Sequence, residues 1–100
     1  MKINVAEKDS QCIIALDGML DSSTAPQFQE VVARQLEKNN SNLVIDLEKL
    51  SYTSSQGIRT FLTLIKTFSA NNGNLVFRNI QPSVREVFDM SGLLQAMKVE

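Results

Sequence analysis

The sequence predicts an α/β sandwich: a mixed sheet of four to five strands faced by helices, in the order β-β-α-β-α-β-α. Three observations predict it. Strand-like runs alternate with helix-like runs along the chain, the pattern of a sheet with helical crossovers. The middle runs, residues 43–47 and 75–77, are near-continuously apolar, as buried parallel strands are. The segments that follow residue 26 and residue 57 carry apolar side chains at helical spacing. With 100 residues, 43% of them apolar, the chain reads as a single domain, residues 1–100, able to close one core without staples.

The elements follow in order. Residues 2–7 alternate Ile3 and Val5 with polar neighbours, the period of a half-buried strand. A polar turn, Lys8-Asp-Ser-Gln11, leads to a second strand at residues 12–17, so the two form an antiparallel hairpin, with Gly18 expected to end it. Asp21-Ser-Ser-Thr-Ala-Pro26 is a helix start, with Pro26 in the first turn, where its missing N–H costs nothing. Thr24 and Gln27 stand at capping-box spacing. Phe28, Val31, Val32 and Leu36 make one apolar stripe, and Lys38-Asn-Asn-Ser-Asn42 closes the helix. The strand at 43–47, apolar enough to be covered on both faces, comes next. Ile58, Phe61, Leu62, Ile65 and Phe68 mark a second amphipathic helix, stopped by Asn71-Asn-Gly73. After the strand at 75–77, Pro82 and Ser83 open a short helix with Val84, Val87 and Phe88, ended by Ser91-Gly92. Residues 96–99 fit a weak edge strand that would permit association near Lys98. The two β-α-β units require right-handed crossovers and parallel pairing.

Composition excludes several functions. Ten basic and eleven acidic residues give a formal charge of −1 with no basic block, so no footprint for nucleic acid or an anionic membrane is present. The absence of histidine removes Ser-His-Asp and Cys-His catalysis and most zinc sites. No catalytic residue, metal ligand or cofactor site is assigned, and the chain reads as a non-enzyme. Cys12 lies in an apolar run and fits a small buried hydrophobe. With one cysteine, no apolar leader and no run long enough to span a bilayer, a cytoplasmic protein without membrane insertion is expected.

Chemistry concentrates in Ser51-Tyr-Thr-Ser-Ser-Gln-Gly57, a hydroxyl cluster between the third strand and the second helix. Thr53 and Gln56 have capping-box spacing, which accounts for the cluster as a helix start. The same helix N-terminus would also solvate a phosphoryl group on Ser55, through free N–H groups and the positive end of the helix dipole. Gly57 costs on the order of 1 kcal/mol against Ala inside a helix, so something is expected to approach the backbone there, a facing element or a docked protein; clearance for a docking protein is the reading preferred at this stage. Asp17 and Asp46 read as strand ends.

Three stretches together resemble the STAS domain, the anti-sigma-factor antagonist family. They are Leu43-Val-Ile-Asp-Leu47 with Leu50-Ser-Tyr-Thr-Ser-Ser-Gln-Gly-Ile-Arg59; Leu16-Asp-Gly-Met-Leu-Asp-Ser-Ser-Thr-Ala-Pro26; and Asn79-Ile-Gln-Pro-Ser-Val-Arg-Glu-Val-Phe88 with Ser91-Gly-Leu93. The resemblance covers essentially the whole chain and implies a STAS-like sandwich. It places the family's phosphorylated serine at Ser55 and its glycine at Gly57, with Ser54 where Asp is frequent and Gln56 where a small residue is usual. It further implies a partner-switching regulator. The unphosphorylated domain would bind an anti-sigma factor that is also a serine kinase of the histidine-kinase-like ATPase fold. Phosphorylation at Ser55 would release it, and a PP2C-type phosphatase would reset it. Asp21, Ser22, Ser54, Gln56, Gly57 and Arg59 are the expected partner-binding residues, with Thr63 on the same exposed helix side. Alternatives within the resemblance are a subunit of a lipid-transport ABC system, a stressosome-type scaffold, or a nucleotide-binding module; the last lacks any Walker-type glycine-lysine motif.

Overall fold

In the computed structural model, two strands meet at a two-residue turn: β1 (Lys2–Lys8) and β2 (Gln11–Leu20) pair antiparallel with Lys8 opposite Gln11. Asp9 and Ser10 both adopt left-handed backbone, with φ of 52° and 65°. That is the twist of a tight hairpin turn, which small polar residues tolerate. The structure describes residues 1–38 and 40–100. Asn39, in the polar stretch expected to close the first helix, lies outside the described residues.

The chain continues through α1 (Ala25–Glu37), β3 (Asn42–Thr53), α2 (Ser55–Ala70), β4 (Asn74–Arg78), α3 (Pro82–Met90) and the one-turn α4 (Leu93–Ala96). The four strands form one sheet in the order β1-β2-β3-β4. The β2–β3 and β3–β4 pairs are parallel, as two β-α-β crossovers require. Alternate strand residues face the helices: Cys12, Ile14 and Leu16 on β2, Leu43, Ile45 and Leu47 on β3, Leu75 and Phe77 on β4. All four helices contribute to the same core, through Phe28, Phe61, Phe88 and Leu93 among others.

Phe61 is the hub of that core. Its ring meets Phe28 of α1, Phe77 of β4 and Phe88 of α3 edge-on, at centroid distances of 5.7, 5.7 and 5.6 Å. One side chain of α2 thus ties the helix to two other helices and the sheet.

Several elements differ from the sequence expectation. The strand at 43–47 is buried on both faces as expected, though the helices lie against one of them. Val44 is 2% exposed but lies outside the helix-side core, in a cross-strand row with Ile13 and Val76 on the open face. Gly18 does not end β2; it takes φ +123° inside the strand, where the register shifts, and pairing resumes to Leu20. β3 correspondingly runs through Ser51 and Tyr52 to Thr53. Asp46 is no strand end: it faces Arg78 across the ladder at 3.3 Å and also accepts from the Glu48 N–H and Asn79 Nδ2. Burial pushes its carboxyl up, but these donors outweigh it and hold the carboxyl below the ordinary value.

On α2 the buried line is Gly57, Thr60, Phe61, Leu64 and Phe68, and Leu62 faces outward. The expected fifth strand is not formed. Leu94 to Ala96 close a helical turn instead, and Val99 makes a single parallel bridge to Phe77. That bridge rests on Phe77 N–H donating to Lys98 O and Glu100 N–H donating to Phe77 O, each at 2.9 Å. The sheet edge left unpaired in the chain is β1, whose lysines at both ends discourage edge-to-edge pairing.

The ring geometry yields a prediction. Phe61→Ala is expected to cost about 3–5 kcal/mol, seen as a lower urea midpoint, because one truncation empties the contact shared by three rings. Phe61→Leu should lose less than half as much.

Candidate functional site: the junction of two strand ends and the second helix

The candidate site sits where β2 and β3 end side by side and α2 begins. Leu20 is paired with Thr53, and the Leu20 carbonyl accepts the Ser54 N–H at 2.9 Å. Ser54 is the N-cap of α2, with extended backbone, and its Oγ accepts the Gly57 N–H at 3.3 Å. The capping box expected from Thr53 and Gln56 is therefore not the one formed. Both Thr53-to-Gln56 and Ser54-to-Gly57 have the spacing of a cap and its third helical residue. Strand pairing decides between them, because it holds Thr53 in β3, buried, with its hydroxyl donating to Ser54 O.

Gly57 is buried at this junction, and its expected role as clearance for a docked protein is replaced by an internal one. A β-carbon there would lie 2.2 Å from Thr53 Oγ1 and 2.7 Å from Leu20 O. The facing element is the chain itself: α2 can start on the end of β2 only if this residue has no side chain.

Ser55 is the first residue of α2 and is exposed. Its neighbours' hydroxyls are committed, Ser54 to the cap and Thr53 inward, whereas Ser55 Oγ has no intramolecular partner among the described residues. Arg59, one turn further along, is also exposed and shares the helix face. Thr63 is exposed as well. Gln56 is half-buried, and its carbonyl accepts the Thr60 hydroxyl at 2.9 Å.

The turn between β2 and α1 forms the flank. Asp21 caps it: its Oδ1 accepts the Ser23 hydroxyl at 2.7 Å and the N–H groups of Ser23 and Thr24 at 2.9 and 3.2 Å. The Ser23 hydroxyl foremost, with the two N–H groups, holds the Asp21 carboxyl below the ordinary carboxylate value. Thr24, at the N-cap of α1, forms no capping box with Gln27. Its hydroxyl accepts the Asp21 N–H and donates to Met19 O, each at 2.9 Å, which folds the turn back onto β2. Ser22 is exposed at its tip. Leu20 thus joins the two segments: Asp21 follows it in the chain, and its carbonyl accepts the N–H of Ser54.

The sequence reading left two features out: the buried Cys12 Sγ donates to Gln35 Oε1 at 3.3 Å, and Met19 and Tyr52 stand exposed beside the junction. Desolvation, with Glu7 nearby, pushes the Cys12 thiol up, so it stays protonated and unreactive. Among the described residues no group of three His, Cys, Asp or Glu side chains is placed to hold a metal ion, and no helix is long and apolar enough to cross a membrane.

A two-layer sandwich of this order, with a serine-bearing helix start seated on two strand ends, defines the class. The STAS domain family model matches residues 2–100, and the chain belongs to that family. It is 36% identical over 99 residues to BtrV of Bordetella bronchiseptica, a protein named as an anti-sigma factor antagonist, covering 99% of this chain and 85% of that one. Among solved structures, a Thermotoga maritima protein described as an anti-sigma factor antagonist superposes with a TM-score of 0.90 at 17% identity, over 97% of this chain and 84% of that one. The Bacillus cell fate determinant SpoIIAA, in its phosphorylated form, gives 0.75 at 23% identity, over 99% and 91%.

Two outcomes are expected of the junction. Gly57→Ala should destabilise the protein by about 1–3 kcal/mol in urea unfolding, although helix propensity alone would favour Ala by about 1 kcal/mol. A raised midpoint would show that the space opens freely. For Asp21, a depressed carboxyl contributes stability above its unfolded value of about 3.9, lost as pH falls through the lower folded value. Its side-chain NMR titration should therefore centre below about 3.9, and Ser23→Ala should move it up.

Proposed function

We propose that this chain is a cytoplasmic anti-sigma factor antagonist that works by partner switching, as a binding protein and not a catalyst. Unphosphorylated, it binds an anti-sigma factor that is also a serine kinase of the histidine-kinase-like ATPase fold. The Ser55 hydroxyl attacks the γ-phosphorus of ATP held by that kinase, ADP leaves, and the hydroxyl proton passes to a base of the kinase. The phosphorylated chain is released, and a PP2C-type phosphatase hydrolyses the phosphoserine to reset it.

The observation that carries this reading is the position of Ser55: exposed, first in α2, with the cap supplied by Ser54 instead. A phosphate there meets the N–H groups of a helix start and the positive end of its dipole, worth roughly 0.3–1 kcal/mol, so the fold accommodates it. A protein docked over the same helix end meets a charge of about −1.5 to −2 and the cost of stripping its water. Asp21 adds a second negative charge on the flank. In this reading Asp21, Ser22, Gln56 and Arg59 border the docking surface, while Ser54 and Gly57 hold the helix start in place. The kinship with proteins named as anti-sigma factor antagonists supports the same role.

The test is phosphorylation of the purified chain by its kinase with ATP, mapped by mass spectrometry. Phosphate is expected on Ser55 and absent from Ser55→Ala. Ser55→Asp should keep the wild-type unfolding free energy, from urea titration, within about 1 kcal/mol, yet bind the kinase at least about tenfold more weakly. Phosphate elsewhere, or an Asp form that binds as tightly as wild type, sinks the switch.

A further inference from the structure

Met19 and Tyr52 are Cα partners across β2 and β3, and they are 53% and 52% exposed. Their chain neighbours Leu20 and Thr53, also partners, are buried on the helix side. Alternation therefore turns Met19 and Tyr52 together to the other face of the sheet. Among the described residues no strand flanks them there. The pairing of β1 with β2 stops at Asp17, and that of β4 with β3 stops at Asp46, so residues 18–20 and 50–53 project beyond the rest of the sheet.

This ribbon is also the support of the site. The Met19 carbonyl anchors Thr24, the Leu20 carbonyl anchors Ser54, and Ser51 Oγ donates to Gly18 O at 3.0 Å. Tyr52 is three residues before Ser55, so their Cα atoms lie within about 10 Å even with the chain extended. A protein that brings a phosphate donor to Ser55 covers about 800 Å² in a stable complex, a patch on the order of 30 Å across. A partner of that size centred on Ser55 takes in Met19 and Tyr52 where it wraps the free end of this ribbon.

We propose that Met19 and Tyr52 are the apolar anchor on which the serine kinase docks; this rests on the reading of Ser55 given above. Tyrosine and methionine are enriched at interface centres, Tyr as a rigid side chain of large contact area and Met as an adaptable one. The anchor also sharpens the switch. A phosphate on Ser55 would be enclosed beside an apolar contact that excludes water, where an unpaired charge is most costly.

The experiment measures by calorimetry the affinity of the unphosphorylated chain for the kinase that phosphorylates Ser55. Variants are Met19→Ser, Tyr52→Ser, Tyr52→Phe, and Val5→Thr on the exposed β1, with urea midpoints and sedimentation recorded for each. Met19→Ser and Tyr52→Ser should each weaken binding about tenfold or more, while Tyr52→Phe and Val5→Thr stay within about threefold of wild type. If Tyr52→Ser fails to fold, Met19→Ser carries the test. Unchanged affinity in the serine variants overturns the anchor while leaving the switch standing. So does a wild-type dimer that Tyr52→Ser dissolves without loss of kinase affinity, which would make a second copy the occupant. A wild-type chain that binds no such kinase overturns the functional reading first and the anchor with it.

Discussion

The end of β2 and the start of α2 share a space too small for a β-carbon, and the site is built around that constraint. Leu20 O lies 2.7 Å from where a side chain on Gly57 would begin, and the same carbonyl accepts the Ser54 N–H. Close approach and hydrogen bond together set where α2 starts and at what angle it leaves the sheet. One turn later Phe61 enters the ring cluster with Phe28, Phe77 and Phe88. The position of Ser55 is therefore fixed from both sides, by strand ends before it and by the core after it. A loop would leave a surface hydroxyl free to wander; here it inherits the rigidity of the packed interior.

The flanking turn is made rigid by different means. Asp21 and Thr24 satisfy each other's backbone, and Thr24 ties the turn to Met19 O. No apolar side chain is needed for this, so Ser22 and Ser23 stay exposed while the backbone beneath them is held. The two turns meet through consecutive residues of β2, Met19 anchoring one and Leu20 the other. A surface held this way would lose little conformational freedom to a docking partner, which favours tight association from a small patch.

Much of this fold is legible in the sequence, because hydrophobic periodicity reports one-sided burial directly. The hairpin, the parallel pairs and the three longer helices follow from spacing alone. What spacing missed were features decided by contacts distant in sequence. Ser51, Tyr52 and Thr53 lack strand-like alternation, yet pairing with Gly18, Met19 and Leu20 carries β3 through them. Leu62 and Leu64 are equally apolar, and the face that α2 turns to the core buries the second and exposes the first. Near the C-terminus, Leu93 fills the core, and that burial favours a helical turn over the weak strand expected at 96–99. At the site, Thr53 and Ser54 offered caps one residue apart, and Gly57 signalled a close approach without naming the neighbour. The resemblance to the STAS domain singled out Ser55, which is exposed at the helix start, but carried no reason for the glycine. The structure supplies one, the Leu20 carbonyl.

Adjacent serines have different duties, so a phosphate would act differently on each of them. A phosphate on Ser54 would take away the oxygen that accepts the Gly57 N–H and crowd the junction with Leu20, so the helix start itself would be disturbed. On Ser55 the same group adds to a hydroxyl that holds nothing, at the end of the helix dipole that favours negative charge. In the proposed switch the fold would stay almost indifferent to a phosphate on Ser55, and the free-energy consequence would fall on a protein docked nearby. A domain that reports its state through a partner needs that separation between the residue that builds the surface and the residue that changes it. Here one peptide bond divides them.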